Sequence, residues 1–237
     1  MAATPLLVLL NERVLAPRLE PARPAPDFDR IEGAKAPVII AGFGRFGQIV
    51  GRLLRMARIP FTALETNPMQ VDFVRRYGSK VYYGDPSRLD VLRAAGAGRH
   101  GAFVLAIDDV ETSVRVAQAV RHAYPQLPVY ARARNRQHAH RLMDLGARVI
   151  VRETFDSSLS LGRQLLEGLG WQADEAEDAA RRFREHDERT LAQQRALRHD
   201  ESALIQSVQD AATELEELFE YDGTRRRRHR RADRSGD

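Results

Sequence analysis

Between residues 37 and 151, short apolar runs alternate with longer amphipathic segments. Runs of a few apolar residues bounded by turn residues are typical of buried strands, whereas apolar residues at three- and four-residue intervals predict helices. The predicted strands are residues 37–41, 61–65, 80–83, 101–106, 128–131 and 148–151. The predicted helices lie near residues 45–58, 68–77, 87–95, 110–123 and 135–145. Regular strand–helix alternation with short connections predicts an α/β fold with a doubly wound, parallel, six-stranded sheet.

Turn and capping residues mark several ends of these elements. Three glycines follow directly on predicted helix ends, where a left-handed residue commonly closes the last turn: Gly78, Gly96 and Gly146. Two helices are predicted to start with proline in the first turn, at Asn67-Pro68 and Asp85-Pro86, because proline's fixed φ suits that position. Asn135 is the predicted N-cap of a further helix.

The chain before the first strand divides into two segments. Residues 1–20 begin with an apolar run that is about half of the ~20 residues needed to cross a bilayer. No basic segment precedes the run, which disfavours a signal peptide. A core helix, an interfacial anchor and the stub of a transmembrane helix all remain open. Residues 21–36 hold three prolines and predict a linker, because proline continues neither helix nor sheet.

After the sixth strand, residues 153–220 predict a helical extension. Its first helix, residues 153–169, has an apolar face made of Phe155, Leu159, Leu165, Leu166 and Leu169. Residues 173–220 are highly charged, and within them apolar residues step by four, three, four and three: Leu204, Val208, Ala211, Leu215 and Leu218. This spacing indicates a short coiled-coil seam or, equally, packing on the chain's own domain. Residues 221–237 are predicted to be a disordered, arginine-rich tail.

Composition narrows the function classes. The chain has no cysteine, which excludes disulfides, thiolate metal sites and cysteine catalysis. Residues 224–237 hold seven arginines and two aspartates, a balance of +5 against +4 for the whole chain, which leaves −1 elsewhere. Because the folded body is not basic, we expect no nucleic-acid partner. His138 and His140 lie two apart on a predicted helix and do not share a face, so we expect no metal site there.

The most informative motif follows the first strand. Residues 38–41 lead straight into Gly42-x-Gly44-x-x-Gly47, which is the dinucleotide-binding pattern in its strand–turn–helix context. The second predicted strand ends at Glu65, at about the spacing where an acid accepts hydrogen bonds from ribose hydroxyls. A carboxylate there repels a 2′-phosphate, so the pattern favours NAD or an adenine nucleotide over NADP.

Five segments together resemble one family: residues 39–48, 83–92, 106–109, 131–135 and 152–155. They are similar to the cytosolic nucleotide-binding regulator of Kef-type potassium/proton antiporters, within the regulator-of-potassium-conductance (RCK, also TrkA-N) family. The resemblance covers about residues 37–190, and its Rossmann domain corresponds to residues 37–152. Residues 4–19 also resemble the end of that family's last transmembrane helix. The resemblance implies a side-by-side homodimer at the cytoplasmic face of the bacterial inner membrane, partnered with an antiporter domain that is missing from this chain or separately encoded.

The resemblance also implies ligand-binding residues. NAD(H) or AMP would contact Gly42, Gly44, Arg45, Phe46, Gly47, Glu65, Asp85, Asp108 and Asp109. Helix capping is the alternative role for Asp85 and Asp109. Arg152 lies at the position where the family uses an arginine to bind a glutathione carboxylate. The alternative role for Arg152 is an ion pair with Glu153 or with a neighbouring helix. Arg132 is, together with Arg152, a candidate effector contact. The alternating pattern of Arg132, Arg134 and Arg136 nevertheless favours side chains exposed to solvent. Arg184 stands where glutathione-gated members have asparagine, which weakens the case for glutathione.

Three functions follow from this reading. A non-catalytic regulatory module would gate potassium efflux by shifting between two states. A soluble NAD-dependent oxidoreductase would need a proton donor and a substrate pocket, but no Tyr-x-x-x-Lys pair and no substrate domain are recognisable. A truncated, non-functional transporter fragment is the third. We expect the regulatory module.

Overall fold

In the computed structural model, the described residues are 29–31, 36–78, 80–98 and 101–197, with the further positions 202–203, 205–207, 209–211 and 213–214. The predictions for residues 1–20 and for the arginine-rich tail lie outside the described residues. So do most of the predicted linker and four of the five residues of the predicted seam.

The strands are β1 (Val38–Ala41), β2 (Phe61–Glu65), β3 (Val81–Tyr83), β4 (Ala102–Leu105), β5 (Val129–Ala133) and β6 (Val149–Arg152). The helices are α1 (Arg45–Met56), α2 (Pro68–Arg76), α3 (Leu89–Ala94), α4 (Val110–Ala123), α5 (Arg136–Asp144), α6 (Phe155–Gly168) and α7 (Ala173–Leu197). The six strands form one sheet of order β3-β2-β1-β4-β5-β6. The predicted Rossmann-like parallel sheet with a C-terminal helical part is therefore confirmed.

The chain divides into an N-terminal unit that ends at Gly101 and a C-terminal unit that begins at Ala102. In the N-terminal unit, β1 pairs in parallel with β2, and β2 pairs in parallel with β3. Ile40, Leu64 and Leu92 are fully buried there. Apolar runs that are buried on both faces explain why these strands lack alternation in the sequence.

The free edge of β3 is covered by Asp29. Its backbone N–H donates to the Tyr83 carbonyl oxygen at 2.9 Å, and its side chain accepts from the Tyr83 N–H at 2.5 Å. The Arg75 guanidinium donates to the same carboxylate. A strand edge left open would invite pairing with another chain, so this residue of the predicted linker protects the sheet.

In the C-terminal unit, β5 pairs in parallel with β4 and with β6. Helix α6 packs along α7, where the Phe155 and Phe183 rings stack with centroids 6.3 Å apart. No residue of α6 is fully buried. Leu165 and Leu169, which the apolar pattern places on a packed face, are largely exposed. The predicted face is therefore divided: Phe155 contacts α7 and Leu159 and Leu166 are half-buried, whereas Leu165 and Leu169 remain exposed.

None of the helices among the described residues is both long enough and apolar enough to cross a bilayer. The three predicted helix-ending glycines, Gly78, Gly96 and Gly146, all have positive φ. Helix α3 begins at Leu89 rather than at residue 87, because Pro86 and Ser87 form a separate turn.

The turn from β1 into α1 is unusually tight. Gly42 has a φ of 88°, which favours glycine. A methyl group at Gly47 would lie 2.2 Å from the Gly42 carbonyl oxygen, whereas one at Gly44 would meet nothing within 4 Å. Gly47 is therefore required for packing, and Gly44 leaves the outer side of the turn open.

We expect Gly47→Ala to lower the free energy of unfolding by about 1–3 kcal/mol, because the backbone of the turn must shift. Alanine is intrinsically favoured over glycine in a helix by about 1 kcal/mol. A net loss of stability therefore reports the steric clash and not helix propensity. Urea denaturation measures it. Gly44→Ala is the matched control and should lower stability by less than Gly47→Ala does, because an alanine Cβ there meets nothing within 4 Å and only the weaker N-cap preference of alanine opposes it. A Gly47→Ala protein as stable as wild type would contradict this account of the turn.

Candidate functional site

The candidate site of the N-terminal unit includes the β1–α1 turn. The Gly42 N–H donates to the Leu64 carbonyl oxygen at 2.9 Å, which aligns the turn with the end of β2. Helix α1 begins at Arg45 with no side-chain cap and no acidic residue in its first turn. Its positive dipole end is therefore uncompensated by the helix itself, which suits a phosphate. Arg45 is exposed and Phe46 is half-buried at this end.

Glu65 joins this turn to β2. One of its oxygens, Oε2, accepts from the Phe43 N–H at 2.7 Å. The other, Oε1, accepts from the N–H groups of Thr66 and Asn67 at 2.8 and 2.9 Å. The predicted ribose-binding acid thus lies beside the glycines, as its spacing requires. A carboxylate offers about four acceptor positions, so Glu65 retains capacity for a ligand hydroxyl.

Asp85 lies at the end of the next strand. The Gly84 N–H donates to the Glu65 carbonyl oxygen at 3.0 Å, which places the two acids on neighbouring strand ends. The Asp85 side chain accepts from the Ser87 N–H at 2.8 Å. It therefore stabilises the 85–88 turn rather than the first turn of α3. The structure brings together the glycine turn, Glu65 and Asp85.

In the C-terminal unit, Arg132 is the centre of a charged cluster. Its side chain is only 7% exposed, so the interpretation of this residue as solvated is wrong. It donates to the Ala106 carbonyl oxygen at 3.3 Å, to Asp108 Oδ1 at 2.5 Å and to the Glu153 carboxylate. Arg134 donates to the other oxygen of Asp108 at 3.1 Å. Arg132 and Arg134 together orient the Asp108 carboxylate.

Asp109 is the N-cap of α4. Its side chain accepts from the Thr112 N–H at 2.8 Å. Hydrogen bonding to Thr112, through its side chain and then its backbone N–H, lowers the pKa of the Asp109 carboxyl group against a smaller opposing effect of desolvation, and the charges of Arg115 and Arg134 act in the same direction as the hydrogen bonds. The capping role considered for Asp109 is therefore realised in the structure.

The C-terminal unit also contains a cavity of about 560 Å³. Its lining combines arginines, aromatic rings and one acid: Arg134, Arg136, Arg152, Phe155, Phe183 and Asp187. Arg152, at the end of β6, is 13% exposed, and its guanidinium carbon lies 3.9 Å from the centroid of the Phe155 ring. Its ionic partner is Asp187 on α7, so an ion pair to a neighbouring helix is present. Arg132, the other proposed effector contact, does not line this cavity.

The sequence analysis allowed an ion pair between Arg152 and a neighbouring helix but did not identify Asp187 as its partner. Asp187 also accepts from Arg136, which in turn donates to Gln194 Oε1 at 3.1 Å. Arg136 and Asp187 are far apart along the chain, and nothing in their local patterns links them. Arg184, the residue that departs from the family pattern, pairs with Asp156 at 2.6 Å. Its guanidinium carbon lies 5.4 Å from the centroid of the Phe155 ring.

His138 is a buried polar residue of α5. Its Nδ1 accepts from the Arg134 N–H at 3.2 Å, and its Nε2 lies 3.1 Å from Ser113 Oγ. Burial lowers the pKa of the His138 imidazole, as do the charges of Arg141 and Arg132, against the opposing effect of Glu111 and Asp109. The described residues contain no group of side chains that could hold a metal ion.

Comparison with known proteins defines the class. Residues 38–153 match the TrkA-N domain family. The fold resembles that of the GsuK channel bound to NAD, at 22% identity and a TM-score of 0.51, over 66% of this chain and 29% of that one. It also resembles an NAD(P)-binding domain of an exopolyphosphatase-related protein from Archaeoglobus fulgidus, at 15% identity and a TM-score of 0.50, over 56% of this chain and 99% of that one. These two likenesses concern the fold. The class is therefore a TrkA-N, or RCK, domain.

The remaining comparisons identify the family. Residues 157–235 match the potassium efflux system KefB C-terminal domain. The Kef C-terminal domain of Shewanella denitrificans, solved in an AMP-bound form, is 42% identical, with a TM-score of 0.62 over 68% of this chain and 98% of that one. The chain belongs to the Kef family of potassium-efflux proteins, as an RCK regulatory domain of the Kef type.

We expect stability to fall as the pH drops below about 6.5, the ordinary pKa of histidine. The lowered pKa of His138 means that the unfolded chain binds this proton first. The contribution of neutral His138 to the free energy of unfolding is complete above that pH. As the pH falls below it, this contribution is lost by no more than about 1.4 kcal/mol per pH unit. Urea denaturation between pH 7.5 and 5.5 measures the slope.

His138→Asn retains an acceptor near the Nδ1 position and should flatten this slope while lowering overall stability. His122→Asn, which changes an exposed histidine on α4, should leave the slope unchanged. Equal slopes for wild type and His138→Asn would show that His138 does not carry the pH dependence.

Proposed function

We propose that this chain binds an adenine nucleotide, AMP or NAD(H), and uses its occupancy to regulate potassium efflux through a Kef-type antiporter. One observation carries the proposal: Glu65 is bonded to the Phe43 amide within the glycine turn, next to the open side of Gly44. The AMP-bound state of the relative from Shewanella denitrificans supports the choice of ligand.

Each residue of the turn has a physical role in this proposal. The open side of Gly44 admits a phosphate to the backbone, and the uncapped start of α1 with Arg45 supplies positive charge. Glu65 accepts from ribose hydroxyls and repels a 2′-phosphate. Asp85, one strand further along, would face the adenosine. Gly42 and Gly47 hold the turn in the required shape, and Phe46 flanks it.

Asp108 and Asp109 belong to the proposal on the resemblance alone. In the C-terminal unit, Asp109 caps α4 and Asp108 is held by Arg132 and Arg134. Both carboxylates remain exposed. Arg132 is then a positioning residue for Asp108 rather than a contact of the effector.

We propose regulation and not catalysis. A regulatory ligand acts through different affinities for two conformations and needs no proton donor. No described feature favours the oxidoreductase alternative, since the cavity in the C-terminal unit is lined by arginines paired with carboxylates.

We propose that the cavity beside Arg152 receives an anionic effector, with glutathione as the candidate from the resemblance. Arg152 and Arg136 offer guanidinium groups suited to a carboxylate, and Phe155 supports Arg152 from one face. Arg184 forms an ion pair with Asp156 and lies near the Phe155 ring. Its substitution for asparagine is therefore accommodated without an unpaired charge.

We further propose a homodimer that works with a membrane antiporter domain at the cytoplasmic face of the bacterial inner membrane. Exposed leucines on α6 and at its C-cap support the self-association: Leu161, Leu165 and Leu169, each more than 60% exposed. They repeat at four-residue intervals and form one apolar stripe. Apolar surface of this kind commonly marks an interaction site.

Calorimetric titration of the full chain tests nucleotide binding. We expect saturable binding of AMP and NADH, and weaker binding of NADPH because Glu65 repels its 2′-phosphate. Glu65→Gln retains one acceptor oxygen but loses the charge, and should weaken AMP binding by about tenfold to a hundredfold.

Asp90→Asn is the matched control, because Asp90 is an exposed acid of the same unit that pairs with Arg88. It should leave AMP affinity unchanged. Absence of nucleotide binding by wild type would refute the proposed function. AMP binding that survives Glu65→Gln would refute the role of Glu65. Repeating the titration with glutathione, for wild type and Arg152→Gln, tests the effector.

Sedimentation equilibrium with AMP present tests the dimer. We expect twice the monomer mass at micromolar concentration. Leu165→Asp places a charge in the α6 stripe and should weaken self-association, whereas Gln164→Asp places the same charge one position away. A monomer under these conditions, or equal effects of the two variants, would contradict the proposed interface.

A further inference from the structure

Asp187 holds three separate elements together. Its Oδ1 accepts from Arg136 at the start of α5, and its Oδ2 accepts from Arg152 at the end of β6. The Asp187 side chain is 8% exposed, although it belongs to the charged helix α7. A carboxylate with one guanidinium on each oxygen is a strongly bound anion.

The cavity opens beside this carboxylate. Three arginines and one acid line it, so its lining carries an excess of positive charge even with Asp187 in place. Arg152 rests on the Phe155 ring, so its orientation does not depend on Asp187 alone. We call Arg136 and Arg152 together the arginine seat. This anion-binding pair is already positioned, and the Asp187 carboxylate is the anion that occupies it.

Other contacts secure the rest of α7 to α5. Arg136 donates to Gln194 at 3.1 Å, His140 Nε2 lies 2.9 Å from the Leu191 carbonyl oxygen, and Arg195 donates to Asp144 at 3.0 Å. Asp187 is the attachment nearest the N-terminus of α7 in this series. Loss of the Asp187 contacts would detach the middle of α7 from β6 and from the start of α5, while its C-terminal contacts with α5 and the stacking of Phe183 on Phe155 of α6 remain.

We propose that Asp187 is an internal competitor for the effector: an external carboxylate or similar anion takes Arg152 and Arg136 from it and thereby releases the middle of α7. The cavity is then autoinhibited by its own chain, and the movement of α7 is the signal. This inference rests on the proposed binding of an anionic effector beside Arg152.

The test compares Asp187→Asn with wild type, both as the full chain, by calorimetric titration with glutathione and separately with sulfate. Asparagine keeps the size of the side chain but frees the positive charge of two arginines. We expect Asp187→Asn to bind these anions at least about tenfold more tightly than wild type, with an affinity that falls as salt is added. Adding Arg152→Gln should abolish the gain.

Asp178→Asn is the matched control. Asp178 lies on the same helix and pairs with Arg181 and Arg182 at the surface, away from the cavity. It should leave anion binding unchanged. Unchanged or weaker anion binding by Asp187→Asn would overturn the proposal, because Asp187 would then be a structural residue or a part of the effector site.

Amide hydrogen exchange supplies a readout in wild type that does not depend on folding of the variant. Saturating anion should raise exchange around residues 183–190 of α7, and Asp187→Asn should show the raised exchange without anion. Anion binding that leaves this segment protected would overturn the release step.

An AMP titration of the same proteins separates this inference from the nucleotide proposal. Asp187→Asn should keep the AMP affinity of wild type. If wild type fails to bind AMP but Asp187→Asn gains anion binding, the nucleotide function fails and the competitor role stands. If AMP binds but Asp187→Asn gains no anion binding, the competitor role is wrong and the nucleotide function stands.

Discussion

The N-terminal unit depends on the three backbone amides that donate to the Glu65 carboxylate. One amide belongs to the glycine turn and two to the start of the next connection, so a single side chain fixes both relative to β2. Position 47 requires glycine for a separate reason, since a Cβ atom there would collide with the Gly42 carbonyl oxygen. The surface proposed for the nucleotide is thus already shaped before a ligand arrives.

The C-terminal unit is organised instead by two charged clusters, each centred on one buried side chain, Arg132 in one and Asp187 in the other. Arg132 holds Asp108 and Glu153, and Asp187 holds Arg136 and Arg152. A buried ion pair is seldom a large source of stability, because desolvation offsets the attraction. The value of such a pair lies in specifying geometry. Another anion can also replace the carboxylate of the pair. This makes the cluster suitable for a switch.

Much of the architecture was predictable because it follows from local rules. The strand and helix bounds agree with the apolar periods to within two residues, and Gly78, Gly96 and Gly146 end their helices as expected. The position of Glu65 beside the glycine turn followed from parallel strands ending at one edge. The prediction for α6 failed in part, because Leu165 and Leu169 are exposed. Periodicity indicates an apolar face but not which segment covers it.

The sequence by itself determined the α/β class, the glycine turn, its acid and the family. These depend on backbone periodicity, proline and glycine stereochemistry, and short motifs, all of which are local. Only the tertiary structure decided that Arg132 is buried, that His138 bridges to Ser113, and that Asp187 occupies the arginine seat. Charged side chains look alike along a sequence whether solvated or paired. Their environment depends on which distant segment folds against them, and no local pattern carries that information.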